Sequence, residues 1–297
     1  MALFDLNIAL DMIYTKEQKE QIIQSLNQEK NVNVFRNSLL INNEELEKIF
    51  KIENIVFEKV DTYCYKISNF YKSKLSSMSA FNEGKFYIQN YSSYLCAKTL
   101  GVKAGESVLD MCAAPGGKSL NLANFMQDQG YLASCELSKT RFFTLKKTLE
   151  NYKVKLAKCF LKDGRSIGRA CPLKFDKILL DAPCSTFAKM GFDIQKNTKE
   201  IKQISNLQKK LLHSALLALK HGGELVYSTC TFLREENEEV LENALRNERF
   251  KLELLDFDLA NVDFICAKSD EFDLSFAKRI LPNDYVDGFF IAKVKKH

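Results

Sequence analysis

The stretch Val108-Leu-Asp-Met-Cys-Ala-Ala-Pro-Gly-Gly-Lys118 decides the fold. A short apolar run ends in an acid at Asp110, a turn of small residues follows, and Lys118 opens a helical pattern. Small side chains let the backbone come close to a ligand, and ligands of open α/β sheets bind beyond the carboxyl ends of the strands. Working outward, strand patterns recur near 107–111, 131–135, 155–160, 176–181 and 223–229. Helical patterns fall near 118–128, 139–150, 201–219 and 235–247. Two further strand candidates, Lys251–Leu255 and Gly288–Val294, lie toward the end of the chain. Strand–helix alternation of this length predicts an α/β domain whose mostly parallel sheet is covered on both faces.

Upstream, residues 1–30 read as helical, Asn31–Phe35 as β-leaning, Asn42–Phe50 as a capped helix and Ile52–Tyr65 as one or two strands. Ser73–Asn82 is poor in bulky apolar groups and predicts a boundary, giving a small N-terminal α+β module at 1–80 and a main domain at 81–297. A chain of 297 residues has room for one large core and a small satellite. No window approaches ~18 uncharged apolar residues, so no membrane span is expected. The first residues carry acids early and lack a basic region before an apolar run, so they read as structural rather than as a signal peptide. Nine cysteines without a CxxC pair, and only three histidines, point to thiols in a reducing compartment and exclude a His-rich metal cluster. A cytoplasmic monomer without metal is the expectation. Between Lys139 and Arg165 stand nine basic residues against two acids, and Lys189–Lys210 carries six lysines against two acids. That asymmetry suits a phosphate backbone on one side of the protein. The acidic run Arg234-Glu-Glu-Asn-Glu-Glu239 reads as a solvated helix start.

Three groups of residues carry chemistry. The turn Ala113-Ala-Pro-Gly-Gly-Lys118 is neither a Walker A sequence nor GxGxxG, so it favours a phosphate-free adenosyl ligand such as S-adenosylmethionine over a pyrophosphate. Glu136, nineteen residues past Gly117 at the end of the next strand, suits ribose hydroxyls, and Asp163 after the third strand suits an adenine amino group. Cys184 in Leu179-Leu-Asp-Ala-Pro-Cys-Ser185 and Cys230 in Val226-Tyr-Ser-Thr-Cys230 follow successive strands, 46 residues apart. Two thiols at one sheet edge suit a pyrimidine. Carbon 5 is too poor a nucleophile to take a methyl group until a thiolate adds at carbon 6, and Asp181 is placed to stabilise the adduct through N3. Spacing alone leaves either thiol as the nucleophile.

These segments closely resemble the Sun/Nop2 family of S-adenosylmethionine-dependent RNA cytosine-5 methyltransferases. The shared run covers nearly the whole chain: Phe35-Arg-Asn37, Gly84-Lys-Phe-Tyr-Ile-Gln89, Val108–Lys118, Leu180–Ser185, Tyr227-Ser-Thr-Cys-Thr231, Glu236-Asn-Glu238, Arg279-Ile-Leu-Pro282 and Asp287-Gly-Phe-Phe290. The resemblance implies a class I methyltransferase-like, doubly wound, mostly parallel seven-stranded sheet with a final antiparallel strand. It implies Cys230 as nucleophile and Cys184 as the thiol that aids release. It assigns Cys112, Ala113, Ala114, Pro115, Gly116, Gly117, Lys118, Glu136, Arg141, Asp163 and Asp181 to the cofactor site, with Lys118 ordering the active-site loops. The implied partner is RNA: small-subunit ribosomal RNA or its particle first, tRNA second. Two features depart from the family pattern. Glu136 stands in place of the usual aspartate, and Thr186 in place of the glycine common after Pro-Cys-Ser, with the basic Arg-Arg-x-Pro stretch absent beyond it. Arg36, Lys85, Phe86, Tyr87 and Phe187 are candidate RNA contacts. A noncatalytic RNA-binding assembly protein, or a methyltransferase for DNA or a small molecule, are the competing readings.

Overall fold

Near-continuous apolar runs that bury both faces of a strand make the core of a parallel sheet, and the computed structural model, described here for residues 3–297, is built on that rule. Four strands form a small antiparallel sheet: β1 (Val32–Arg36), β2 (Phe57–Lys59), β3 (Cys64–Ile67) and β4 (Phe86–Ile88), in the order β2-β3-β1-β4. The main sheet takes the rest: β5 (Ser107–Asp110), β6 (Tyr131–Glu136), β7 (Ala157–Leu161), β8 (Phe175–Asp181), β9 (Leu219–Thr229), β10 (Leu252–Leu255), β11 (Phe264–Cys266), β12 (Lys278–Ile280) and β13 (Phe289–Lys296). Its order is β11-β12-β13-β9-β8-β5-β6-β7, with β10 also on β13. The strands from β7 across to β9 run parallel, and β13 joins β9 antiparallel.

The sheet therefore has nine strands rather than the expected seven. The difference has a simple origin. β12 pairs with Phe289–Ile291 and β10 with Lys293–Lys296 on the same edge of β13, so two short strands share the seventh position, and β11 adds an outer edge. Three-residue strands are too short to show a period of two. Among the described residues no helix is long and apolar enough to cross a membrane.

Within the strands, neighbours split between the two faces as their period requires. Val108, Leu179, Val226 and Ile291 pack on helices Tyr91–Thr99, Gly117–Phe125 and Lys139–Asn151. Leu109, Ile178, Leu180, Leu225 and Tyr227 pack on helices Thr198–Ala218 and Glu238–Leu245.

The expected helix at 1–30 is two, Leu6–Asp11 and Lys16–Leu26, with Met1 and Ala2 outside the described residues. The capped helix is Asn43–Ile52, closed by an Asn42/Glu45 capping box that satisfies two orphan backbone donors. Its Phe50 is the hub of the small core, with ring centroids 5.4–5.9 Å from Phe57, Tyr65 and Phe86. The boundary set at residue 80 falls inside this module. Leu75, Met78 and Ala80 are buried in its core, and β4, at 86–88, pairs with β1. The few apolar residues of Ser73–Asn82 all point inward, which composition does not reveal. Buried amides then fix the module to the main domain: Asn37 Nδ2 donates to the Tyr152 carbonyl, and Gln89 Nε2 to Asn121 Oδ1.

The acidic run is not a solvated helix start. Glu236 and Glu238 are buried, the first at a 3₁₀ turn Arg234–Glu236 and the second against Arg279. Arg279 forms a two-pronged pair with Glu238 (Nε to Oε1 2.6 Å) and also donates to the Phe232 carbonyl at 2.8 Å and Tyr14 Oη at 3.2 Å. One guanidinium thus joins β12, the turn after β9 and the segment between the first two helices. Removing one partner of a buried pair strands a charge, so Glu238→Ala is expected to cost about 3–5 kcal/mol. Urea unfolding measures this, and a loss below about 1 kcal/mol, the scale of an exposed pair, contradicts it.

Candidate active site

The parallel register of β8 and β9 builds the site. Leu180 lies opposite Tyr227 and Asp181 opposite Ser228, so both strands end side by side. The chain leaving β8 stays on β9: Ala182 N–H donates to the Ser228 carbonyl at 2.9 Å, and Ala188 N–H to the Cys230 carbonyl at 3.2 Å. Cys184 and Cys230 consequently face each other with sulfurs 3.1 Å apart, both half-buried. The two thiols that the sequence set 46 residues apart are hydrogen-bonded neighbours. Their shared S–H lowers the Cys230 thiol and raises Cys184, whose burial pushes it further up. Lys189 and Lys118 also favour charge on Cys230. Cys230 is the better thiolate of the two.

Asp181 is held from two sides. Lys118 Nζ lies 2.7 Å from Oδ2, and Ser228 Oγ donates to Oδ1 at 3.0 Å. Burial works against the Lys118 ammonium, but the Asp181 carboxylate, together with Cys96 and Asp110, offsets it and raises Lys118 above its ordinary value. Lys118 therefore holds Asp181 in place.

A cleft of about 780 Å³ runs from the thiols past the loop after β5. Cys112, Ala113, Ala114, Pro115, Gly117, Lys118, Glu136, Arg141, Asp163, Asp181, Cys184 and Cys230 all line it. Gly116 does not. Its φ of +115° turns the chain into the helix, and a Cβ there would meet Thr148 at 3.0 Å, so it serves the turn and helix packing. Glu136 accepts from Ser138 N–H at 2.8 Å and faces Arg141 at 3.5 Å, while Arg141 donates to the Ala114 carbonyl at 2.7 Å. Asp163 caps the following helix and is gripped by Arg165, which holds its carboxyl below the usual range.

Tyr87, Gln89 and Asn90 close the cleft from the small module's side, a contribution that spacing gave no reason to expect. The approach is close: a Cβ on Gly117 would lie 2.8 Å from Tyr87 Cε1. Of the other candidate contacts, Phe86 and Phe187 are core residues, Lys85 pairs with Glu83, and Arg36 is buried, donating to the Ile41 carbonyl at 2.6 Å. Thr186 adopts φ +62°, the left-handed conformation that the family's glycine would take without strain.

The donor set fits an adenosyl sulfonium. Glu136 and Asp163 present carboxylates from the ends of consecutive strands, matched to hydroxyl and amino donors. The two cations nearest the Cys112–Lys118 loop are engaged, Lys118 by Asp181 and Arg141 by Glu136.

The chain is similar to known methyltransferases. The family described as 16S rRNA methyltransferase RsmB/F matches residues 97–295. A mouse mitochondrial tRNA (cytosine(34)-C(5))-methyltransferase is 42% identical over 173 residues, 55% of this chain and 49% of the relative. A probable ribosomal RNA small subunit methyltransferase B of Bacillus subtilis is 34% identical, covering 76% of this chain and 51% of the relative. The chain thus spans about half the length of these curated relatives. A solved methyltransferase homologue from Pyrococcus horikoshii superposes with a TM-score of 0.85 at 30% identity, covering 98% of this chain and 94% of that one.

Beneath the loop, Asp110 is fully buried, accepts from Ser119 Oγ at 2.7 Å and leaves Oδ1 without a partner. Burial pushes its carboxyl from 3.8 up to about 7, against the Ser119 hydrogen bond and the Lys118 charge. A folded-state value raised in this way contributes stability below the unfolded value of 3.8, and that contribution is lost as pH rises toward 7. Melting measured from pH 5 to 8.5 should therefore show a loss of stability of roughly 2–3 kcal/mol at most from this group. Asp110→Asn should flatten that slope; an unchanged slope contradicts the assignment.

Proposed function

Because the chain belongs to the 16S rRNA methyltransferase RsmB/F family, we propose that it transfers a methyl group from S-adenosylmethionine to carbon 5 of a cytosine in RNA, with Cys230 as nucleophile. The observation that carries this reading is the thiol pair, 3.1 Å apart on the wall of the cleft that also holds the Cys112–Lys118 loop, Glu136 and Asp163. Bound in that cleft, S-adenosylmethionine supplies an electrophilic methyl group on a sulfonium. Glu136 and Asp163 would hold its adenosyl end, with the Cys112–Lys118 loop alongside.

Cys230 adds as a thiolate to carbon 6 of the base, and the displaced electron pair makes carbon 5 nucleophilic toward the methyl group. Asp181, fixed by Lys118 and Ser228, stabilises the adduct at N3. After methyl transfer, the carbon 5 proton leaves to a base, the bond between carbon 6 and Cys230 sulfur breaks, and the ring double bond returns. Cys184 stands beside that bond and assists release. The target base has to leave any stack to reach both thiols, which costs a few kcal/mol if it is paired.

Small-subunit ribosomal RNA is the first acceptor in this reading and tRNA the second, since relatives named for each match the chain. The cytoplasm, where reducing conditions keep both thiols free, is the proposed setting. Exposed Lys139, Lys146, Lys147, Lys153, Lys155 and Lys158 supply backbone contacts that set binding rather than base identity. A noncatalytic RNA-binding role would leave the thiol pair and its buried supports without a purpose.

The test supplies methyl-labelled S-adenosylmethionine with ribosomal RNA, small-subunit particles and tRNA separately, and maps label to the nucleotide. Label at carbon 5 of one cytosine is expected. Cys230→Ala should lower turnover roughly a thousandfold or more, and Cys184→Ala should accumulate protein linked to RNA. An adduct formed by Cys230→Ala but not by Cys184→Ala reverses the two roles.

A further inference from the structure

Each cysteine of the pair is held at the residues before and after it, and both sets of restraints converge on two consecutive residues, Glu236 and Asn237. Around Cys184, Gln208 Nε2 donates to the Pro183 carbonyl and to Glu236 Oε2, both at 2.9 Å. Glu236 Oε2 also accepts from the Ser185 N–H at 2.9 Å. Around Cys230, Thr229 Oγ1 bonds Asn237 Oδ1 at 2.5 Å, and Asn237 Nδ2 donates to the Thr231 carbonyl at 3.1 Å. The two loops are tied directly by Ser185 Oγ and Thr231 Oγ1, 2.8 Å apart. Gln208, Glu236 and Asn237 have no solvent exposure. Tyr227 Oη, donating to the Glu236 carbonyl at 2.6 Å, fixes the turn itself.

Burying a carboxyl costs several kcal/mol unless it is well partnered, and here one oxygen, Oε1, has no partner. A neutral acceptor would hold Ser185 N–H as well. The carboxyl therefore calls for a reason beyond backbone support, and its surroundings supply one. Cys230, Glu236 and Tyr227 face Cys184, whereas Cys184, Lys189, Asp181 and Lys118 face Cys230. The net charge is negative on the Cys184 side, from Glu236, and positive on the Cys230 side, where Lys189 and Lys118 outweigh the opposing Asp181 carboxylate.

We propose that Glu236 is the positioning residue that makes the two thiols unequal: it clamps the backbone after Cys184 and sets a carboxylate beside that thiol, so Cys184 keeps its proton and donates it toward Cys230. Cys230 is then the sulfur free to carry the negative charge. The division of labour between nucleophile and helper is built into a residue that touches neither substrate nor cofactor. This inference rests on the methyltransferase reading for its purpose, but its test reads the thiols themselves and needs no RNA.

The test alkylates the full chain with iodoacetamide across a pH series and resolves Cys184 and Cys230 by peptide mass spectrometry. In the wild type Cys230 should react at lower pH than Cys184. Glu236→Gln keeps the volume and an acceptor for Ser185 N–H but removes the charge. In that variant the Cys184 midpoint should move down by about half a pH unit or more, roughly a threefold gain in thiolate at fixed pH. A purely structural role would alter both rates without moving that midpoint. An unchanged Cys184 midpoint in a variant that melts like the wild type overturns the proposal. Should the variant fail to fold, the wild-type order decides: Cys184 reacting first, or both together, overturns it, and Cys230 first supports it. Because RNA is absent, failure here is distinguishable from failure of the methylation assay.

Discussion

The register between β8 and β9 is the constraint on which the rest of the site depends. With Asp181 opposite Ser228, Cys184 follows three residues after one member of that pair and Cys230 two residues after the other. A slip of one residue would send alternate side chains to the opposite face and separate the sulfurs. The register is in turn secured by burial on both faces, with Leu179 and Val226 on one side and Ile178, Leu180, Leu225 and Tyr227 on the other. Packing of ordinary aliphatic residues thus decides whether the reactive atoms meet.

Around that frame the chain concentrates buried ionisable groups, each expensive alone and each given a specific partner. Lys118 meets Asp181, Arg279 meets Glu238, Glu236 meets Ser185 and Gln208, and Asp110 meets Ser119 with its carboxyl raised to about 7 by burial. The arrangement is not symmetric about the thiols. Glu236 lies toward Cys184, while Lys189 and Lys118 outweigh Asp181 beside Cys230, and the proposed split into donor and nucleophile rests on that difference. Rigidity serves the same end, since a thiol pair on loose loops would sample many separations.

Much of this was legible in the sequence because it repeats over long stretches. Strand–helix alternation from Val108 to Thr229 announced the parallel sheet, and two cysteines at successive strand ends announced a shared site. Other features depend on partners distant in the chain. Glu236 and Glu238 look like a solvated acidic run until Gln208 and Arg279 arrive, and Arg36 looks like an RNA contact until it is seen under the Tyr63 ring. β4, β11 and β12 have three residues each, too few to carry a period. Gly116 matched the motif's cofactor loop by position, yet its backbone faces Thr148, a contact made only when the neighbouring helix packs.

The central claim is that Cys230 is the atom that attacks the base. The most direct measurement uses RNA bearing 5-fluorocytidine, whose fluorine cannot leave as a proton does, so that the adduct persists after methyl transfer. Digestion and mass spectrometry then identify the linked residue. The account predicts that the nucleotide is carried on the peptide containing Cys230. Linkage to the peptide containing Cys184, or methylated product with no covalent link at all, would contradict it.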